Sequence, residues 1–478
     1  MFMRMIYDEN LAAASYLIGC QRTGEAIVID PERDVDRYID MAKKEGLRIT
    51  AAAETHIHAD FVSGSRELAE RTGCRVLVSG LGGPDWSYGW LDKKSGGGSY
   101  PHTLLKDGDR FSIGNIDFQV IHTPGHTPEH ICFLVTDRGG GADAPLGIAT
   151  GDFVFVGDLG RPDLLESAAG VKGMADSSAR QLFKTVQRLE GLPDYVQVWP
   201  AHGAGSACGK ALGAVPMSTV GYEKRFNPAI RAASDEGGFV KFILADQPEP
   251  PLYFARMKRI NRDGPPLLGE LPRPRVLDGA ALKSIDTTRT AVVDTRPWAS
   301  FKAGHIPGAM FHPYNNSFVT DVGSMVSENE DIVLIIEPAK LDAAIRDLVR
   351  VGLDRIVGWC EPAALESYKG MGGAMVTTEE VDIAEGRRRA ESGQATLLDV
   401  RRASEFARGH IPGARNISHT RLASRLEELP KDKPVLVSCL SGGRSGRAAA
   451  LLQRRGYTVT NLAGGFSAWE KAGAPITK

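Results

Sequence analysis

The sequence predicts a multidomain α/β chain: a strand-rich N-terminal domain with a few helices, then two smaller α/β domains with parallel sheets. Three observations predict it. A chain of 478 residues is too long for one ordinary core. Short runs rich in Val, Ile and Phe, bounded by Gly, Pro, Asp or Asn, recur through the first half: 48–53, 75–79, 116–122, 131–136 and 196–199. The second half repeats itself. Asp294 to Ala309 (DTRPWASFKAGHIPGA) matches Asp399 to Ala414 (DVRRASEFARGHIPGA) at a constant offset of 105 residues.

The elements follow in order. Residues 1–245 form the first domain, in which 62–71 reads as a helix closed by Gly73. The stretch 246–275 is proline-heavy (DQPEPPLY, DGPPLLGELPRPR) and reads as a linker or extended strap. In each repeat a β-branched run leads into the shared motif (291–294; 396–400), and a second run follows (332–336; 435–438). Helical segments between them indicate a parallel sheet, giving domains at 276–372 and 376–478.

Composition narrows the function. Basic and acidic residues number 57 and 59, a net charge of -2 without the excess a nucleic-acid binder shows. No window holds the roughly 18 uninterrupted apolar residues of a membrane helix. No apolar signal-peptide core precedes Asp8 and Glu9. The six cysteines lack CxxC spacing, which argues against a disulfide framework and a structural zinc site. A cytoplasmic protein without nucleic-acid or membrane partners is expected.

Four polar pieces each follow a β-like run: Thr55-His56-Ile57-His58-Ala59-Asp60-Phe61, Thr123-Pro-Gly-His126-Thr-Pro, Thr150-Gly-Asp152 and Pro200-Ala-His202-Gly. Strand ends of a sandwich converge at one rim, where imidazoles and a carboxylate can share one divalent ion. This order of motifs resembles the metallo-β-lactamase superfamily, which implies an αββα sandwich. Phe61 stands where that family's H-x-H-x-D-H motif ends in a His serving a second metal. A phenyl ring cannot coordinate, so the resemblance points to a mononuclear centre. Within the superfamily the likeness is to persulfide dioxygenases. It implies one Fe(II) in the N-terminal domain, no organic cofactor, and His56, His126 and Asp152 as ligands. His58, Asp60 and His202 would surround the ion. Gly160-Arg161-Pro162-Asp163 matches the family's G-R-x-D stretch, placing Arg161 among the groups that meet substrate or anion. Asp60 and Asp163 are candidates to orient the imidazoles.

In the second repeat, Ser438-Cys439-Leu440-Ser441-Gly442-Gly443-Arg444-Ser445 puts a cysteine at the mouth of a glycine-containing loop, before a helical run that ends at Gly456. The amides of Leu440, Ser441, Gly442, Gly443 and Ser445 are expected to form an anion nest. The helix dipole and Arg444 are expected to hold a Cys439 thiolate. The loop resembles the Cys-x-x-Gly-x-Arg loop of the rhodanese family. A cysteine phosphatase loop is one residue longer between Cys and Arg. In the first repeat, aligned on its strand, Glu337 falls at the Cys439 position, so 276–372 is read as a degenerate copy serving as scaffold or dimer surface. Cys360 is read as structural, and His305 and His410 as packing histidines. Cys208, six residues after His202, is a candidate for substrate handling or persulfide relay; Cys20 is a weaker one.

The whole chain resembles bacterial persulfide dioxygenase–rhodanese fusions, through TGEAIVIDP (23–31), ETHIHADF (54–61), GDFVFVGDLGRPDLLE (151–166) and AHGAGSACGK (201–210). That likeness implies oxidation of a small persulfide (of glutathione, coenzyme A or another thiol) by O₂ to sulfite. The rhodanese domain would join sulfane sulfur to sulfite as thiosulfate. The spare degenerate copy makes a homo-oligomer, dimer or tetramer, the expected assembly. The rival readings are a glyoxalase II-like zinc thioester hydrolase fused to a rhodanese, and a sulfur carrier with a structural metal.

Overall fold

The computed structural model describes residues 1–167 and 173–478. It divides into two compact units, 1–270 with 349–352, and 271–348 with 353–478.

The first unit holds two six-stranded sheets. One runs Phe2–Asp8, Ala13–Cys20, Glu25–Ile29, Arg48–Ala53, Arg75–Ser79, His102–Leu105; the other Ser218–Thr219, Gln197–Pro200, Gly147–Gly151, Ile131–Asp137, Ile116–His122, Arg110–Ile113. Alternate side chains on each strand part to opposite faces. Tyr16, Ile18, Ile27, Ile29, Ala51 and Ala53 of the first sheet meet Phe118, Val120, Phe133, Val135 and Trp199 of the second in one core. Their neighbours Leu17, Val28, Ala52 and Val76 pack outward on the helices Asp36–Lys44 and Ser65–Thr72. Cys132, Ile148 and Val198 pack outward on the helices Met174–Val186 and Glu236–Leu244. The layering is therefore helix, sheet, sheet, helix, as the motif order implies.

The proline-rich stretch 246–275 departs from the extended strap expected of it. Between Pro251 and Pro265, where no proline interrupts, it forms the helix Phe254–Asp263, which packs in the first unit.

The second unit holds two five-stranded parallel sheets of the same order. They are Arg275–Val276, Ile356–Cys360, Asp331–Ile335, Thr290–Asp294, Met310–Phe311, and Glu379–Val381, Val459–Leu462, Val435–Ser438, Thr396–Asp399, Arg415–Asn416. Sheet register corrects the alignment of the two copies by one residue. Asp294 pairs with Ile335 and Asp399 with Ser438, so Ile336, not Glu337, occupies the Cys439 position. Among the described residues no helix is long and apolar enough to cross a membrane.

Candidate metal centre and sulfur-transfer loop

His56 and His58 follow the strand Arg48–Ala53, His126 follows Ile116–His122, Asp152 follows Gly147–Gly151 and His202 follows Gln197–Pro200. Ligand atoms of His56, His126 and Asp152 lie within 4.8 Å of one another, as do those of Asp60, His202 and Cys208. His126 Nε2 is 3.4 Å from Asp152 Oδ2, His202 Nε2 is 3.4 Å from Asp152 Oδ1, and His202 Nε2 is 3.2 Å from Asp60 Oδ2.

Backbone devices aim these groups. A bulge between Ala149 and Gly151 redirects the strand just before Asp152. Gly151 has φ +51°, and a Cβ there would fall 2.5 Å from Thr55 Oγ1 and 2.7 Å from His130 Nε2. Ala12 and Asp30 are non-glycine residues with φ 50°, a strained state that persists only where the surroundings enforce it. Each orients a histidine. The Ala12 carbonyl accepts from His202 Nδ1 at 2.9 Å. The Asp30 carboxylate accepts from the Thr55 hydroxyl, whose oxygen lies 3.0 Å from His56 Nδ1. The Thr55 proton is thus committed to Asp30, so His56 Nδ1–H donates to Thr55 and the Nε2 lone pair is left free. His126 Nδ1 donates to the Arg161 carbonyl at 2.9 Å, which likewise frees Nε2.

Electrostatics agrees with a ligand set. Burial, reinforced by neighbouring imidazoles, pushes His56 well below its usual range, and burial lowers His126 despite Asp152. Both are neutral, as coordination requires. Burial alone would raise Asp152, but His202 and His126 reverse it and keep the carboxylate ionised. Burial also opposes charge on His58, yet Asp30 and Glu54 hold it well above the imidazole range, so it is a cation locked between carboxylates. Asp152 is fully buried, and among the described residues neither of its oxygens, nor His202 Nε2 or Asp60 Oδ2, has a hydrogen-bond donor or acceptor in bonding geometry; they face one another at 3.2–3.4 Å instead. A buried carboxylate costs several kcal/mol unless something compensates it. A cation among these atoms would supply that compensation, so the residues fit a metal. Phe61 is buried and stacks on the His58 ring at 4.3 Å, filling space where the family's motif puts a further His.

Cys208 sits beside this centre. Burial, with Asp152 and Asp60 nearby, holds its thiol protonated. Cys20 closes the strand Ala13–Cys20. Burial works against its thiolate, but hydrogen bonds, first from the Asn115 amide and the Thr23 hydroxyl, bring it down to about 7.

In the second unit the Gly442 amide donates to Cys439 Sγ at 3.1 Å, at the start of the helix Gly443–Arg454. Cys439 is buried, while Leu440, Ser441 and Gly443 reach solvent. The Ser445 hydroxyl donates to the Gly442 carbonyl and braces the turn. Arg444 meets Glu405 as well as the charge of the nearby Cys439 sulfur. Its Nη1 and Nη2 both go to the Glu405 carboxylate, at 2.6 and 2.8 Å. Arg444 in turn holds the Glu405 carboxyl down at about 2.

Residues 9–202 match the model of the metallo-β-lactamase superfamily, and residues 382–472 that of the rhodanese-like domain. The crystal structure of a metallo-β-lactamase from Staphylococcus aureus is 41% identical with a TM-score of 0.67, covering 76% of this chain and 99% of that one. The chain belongs to the metallo-β-lactamase superfamily. Mitochondrial persulfide dioxygenase of Bos taurus is 26% identical over 246 residues, 50% of this chain and 80% of the relative. A β-lactamase hydrolase-like protein of Agrobacterium fabrum is 28% identical over 294 residues, 57% of this chain; the chain spans 62% of that relative's length. The molecule is thus an enzyme-family fusion: a metallo-β-lactamase domain followed by a rhodanese-like domain.

Within the metallo-β-lactamase domain two expectations change. Arg161 is not free to bind an anion. It donates twice to Asp163, at 2.8 and 2.7 Å, and to the carbonyls of Ala207 and Pro248. It staples the Gly160–Asp163 turn to the stretch before Cys208. Asp163 is accordingly the partner of Arg161 and orients no imidazole directly; Asp30, through Thr55, and two backbone carbonyls do that work. Sequence reading also missed His130, whose Nε2 accepts the Asp152 amide at 3.0 Å, and Asn261. Asn261 Nδ2 donates to the His58 and Phe61 carbonyls at 2.8 and 2.7 Å, and Oδ1 accepts from the Ser63 amide. Its only signal was its place in a stretch taken as a strap. The His130 signal lay in the string TPGHTPEH, where only the first histidine was singled out.

Proposed function

We propose that this chain is a persulfide dioxygenase coupled to a sulfurtransferase. The metallo-β-lactamase domain would oxidise a small persulfide, RSSH + O₂ + H₂O giving RSH + H₂SO₃. In the rhodanese-like domain the Cys439 thiolate would take the outer sulfur of a second small persulfide, releasing RSH, and the Cys439 persulfide would pass that sulfur to sulfite, giving thiosulfate and the free thiol. The observation that carries the reading is the neutral pair His56 and His126 beside the ionised Asp152, with Phe61 excluding a further histidine ligand. His56, His126 and Asp152 would hold Fe(II), which when bound supplies open positions for a persulfide anion and O₂. The chain's own residues do the rest. Thr55, Arg161 and Ala12 fix ring orientation through their hydrogen bonds. Cys208 and Asp60 lie beside His202, where they would meet the bound persulfide. In the rhodanese-like domain the Gly442 amide donates to the sulfur of Cys439 and orients it at the loop mouth. Fusing the two activities raises the effective concentration of sulfite at its acceptor.

Metal analysis with O₂ uptake on a panel of small persulfides tests the reading. One iron per chain is expected, with one O₂ consumed per persulfide oxidised to sulfite and a second persulfide spent for each thiosulfate formed; His126→Ala should lose both the iron and the O₂ uptake. Turnover of S-lactoylglutathione by a zinc-loaded chain without O₂ uptake would overturn it.

A further inference from the structure

We propose that the first C-terminal copy, which has no thiol of its own at the loop position, is a working part of the Cys439 site. Its Trp298 and Asp321 are positioning residues that seat the helix Gly443–Arg454 and so set where the Gly442 amide meets the sulfur. The proposal rests on reading Cys439 as the sulfur acceptor.

The helix begins at the cysteine loop, and one of its faces lies against the first copy. Residues 446, 450 and 454 are spaced by four and share that face. A Cβ on Gly446 would fall 3.0 Å from Trp298 Cε3 and 3.2 Å from Phe311 Cε1, so the glycine lets the helix backbone reach these rings. Ala450 is buried in the core of the first copy, with Val292, Phe301 and Phe311. At the far end Arg454 Nη2 donates to the carbonyls of Thr287 and Thr290 and pairs with Glu330 at 2.6 Å.

A buried ionic group fixes the helix near its start. Arg447 Nε is 2.6 Å from Asp321 Oδ2, and Arg447 Nη2 donates to Ser317 Oγ at 2.9 Å. His419 Nε2, from the second copy, reaches Asp321 Oδ1 at 2.9 Å. Ser317 and Asp321 belong to the first copy, and Arg447 sits three residues after Arg444. Trp298 is itself held by its indole N–H on Glu380 Oε2 at 2.6 Å. Steric contact, core burial and a salt bridge thus act on one helix whose first residues form the cysteine loop. A rigid helix transmits a shift at any of these anchors to its N-terminus.

The test uses the full-length chain and two readouts: the rate of Cys439 alkylation by iodoacetamide, resolved by peptide mass spectrometry, and steady-state sulfur transfer from thiosulfate to cyanide. Gly446→Val wedges the helix away from Trp298, and valine forms helix better than glycine does, so propensity is not the cause of any loss. It should cut alkylation about fivefold and transfer kcat about tenfold, with KM within about twofold, as expected of a displaced reacting group. Trp298→Ala combined with Gly446→Val should return both rates to within about threefold of Trp298→Ala alone, because the wedge then has room. Asp321→Asn keeps the side-chain shape and needs no wedge; it should slow transfer about three- to tenfold. Wild-type rates in Asp321→Asn, wild-type rates in a folded Gly446→Val chain, or a double variant no better than Gly446→Val would overturn the proposal. A wild-type chain that alkylates normally but transfers no sulfur would sink the sulfurtransferase reading instead, and the alkylation rates of the variants would still decide this one.

Discussion

In the first C-terminal copy Asp294 grips Arg296, which reaches the Gly304 carbonyl; in the second, Asp399, Arg401 and Gly409 repeat the arrangement. His305 stacks on Phe301 at 3.9 Å and His410 on Phe406 at 3.7 Å, each with Nδ1 near the carbonyl of the same Phe. These shared residues are frame. The copies part at the loop mouth. Cys439 is replaced by Ile336, and the glycine turn by a segment in which Pro338 removes an amide N–H. Glu405, which holds Arg444, corresponds to Ser300 in the repeat. Ile417 corresponds to His312, each amide donating to the carbonyl of the motif Asp. Cys360 offers no replacement thiol: it is buried at a strand end, and burial with Asp294 nearby pushes it up to about 12. The repeated motif builds the scaffold in both copies, and the proposed sulfur chemistry falls on the few positions where the repeat breaks.

The largest effect expected is at Cys439. Cys439→Ser should lower thiosulfate-to-cyanide transfer at least about thousandfold, and with a persulfide and O₂ should leave sulfite rather than thiosulfate. Ile336→Cys should restore nothing, since the segment after it lacks the glycine turn. Transfer supported by Ile336→Cys would erase the distinction between the copies. Next is Glu405→Gln, which frees Arg444 from its two-pronged partner. A roughly tenfold change in kcat/KM for thiosulfate is expected; Ser300→Glu in the first copy should change transfer by less than about twofold, measured on the same assay.

A third difference predicts acid sensitivity. His312 is fully buried, neither ring nitrogen has a hydrogen-bond partner among the described residues, and burial pushes its pKa from 6.5 down to about 3. The unfolded chain therefore binds a proton that the folded chain refuses between those values, so stability falls as pH drops from 6.5 toward 3 and is unaffected above that window. His312→Ile, which copies the second repeat, should stabilise by about 1–3 kcal/mol near pH 4.5 and by less at pH 8. Denaturant melts at the two pH values check the sign; an equal gain at both would assign the effect to packing alone. The smallest effect on function is expected at His410. His410→Leu should keep transfer within about twofold while costing about 1 kcal/mol of stability, read by steady-state kinetics and thermal melting.

The sequence alone determined the strand runs, the repeat, the cysteine loop and the four strand-end pieces that meet at the candidate metal centre. Each depends on local pattern: side-chain alternation fixes the faces of a strand, and a histidine or aspartate just after a strand lies at a sheet rim. The layering of the sheets came through the motifs' family resemblance. Only the tertiary structure decided which partners each polar group takes. Arg161 and Arg444 read as anion binders because a free guanidinium is one, but Asp163 and Glu405 engage them through contacts that hydropathy does not encode. Asn261 and Asp30 reach the metal loop from distant segments, and nothing in their own neighbourhoods announces it. Ile336 took the Cys439 position from Glu337 because hydrogen-bond register in a sheet is set by the neighbouring strand, not by the run of residues along one strand.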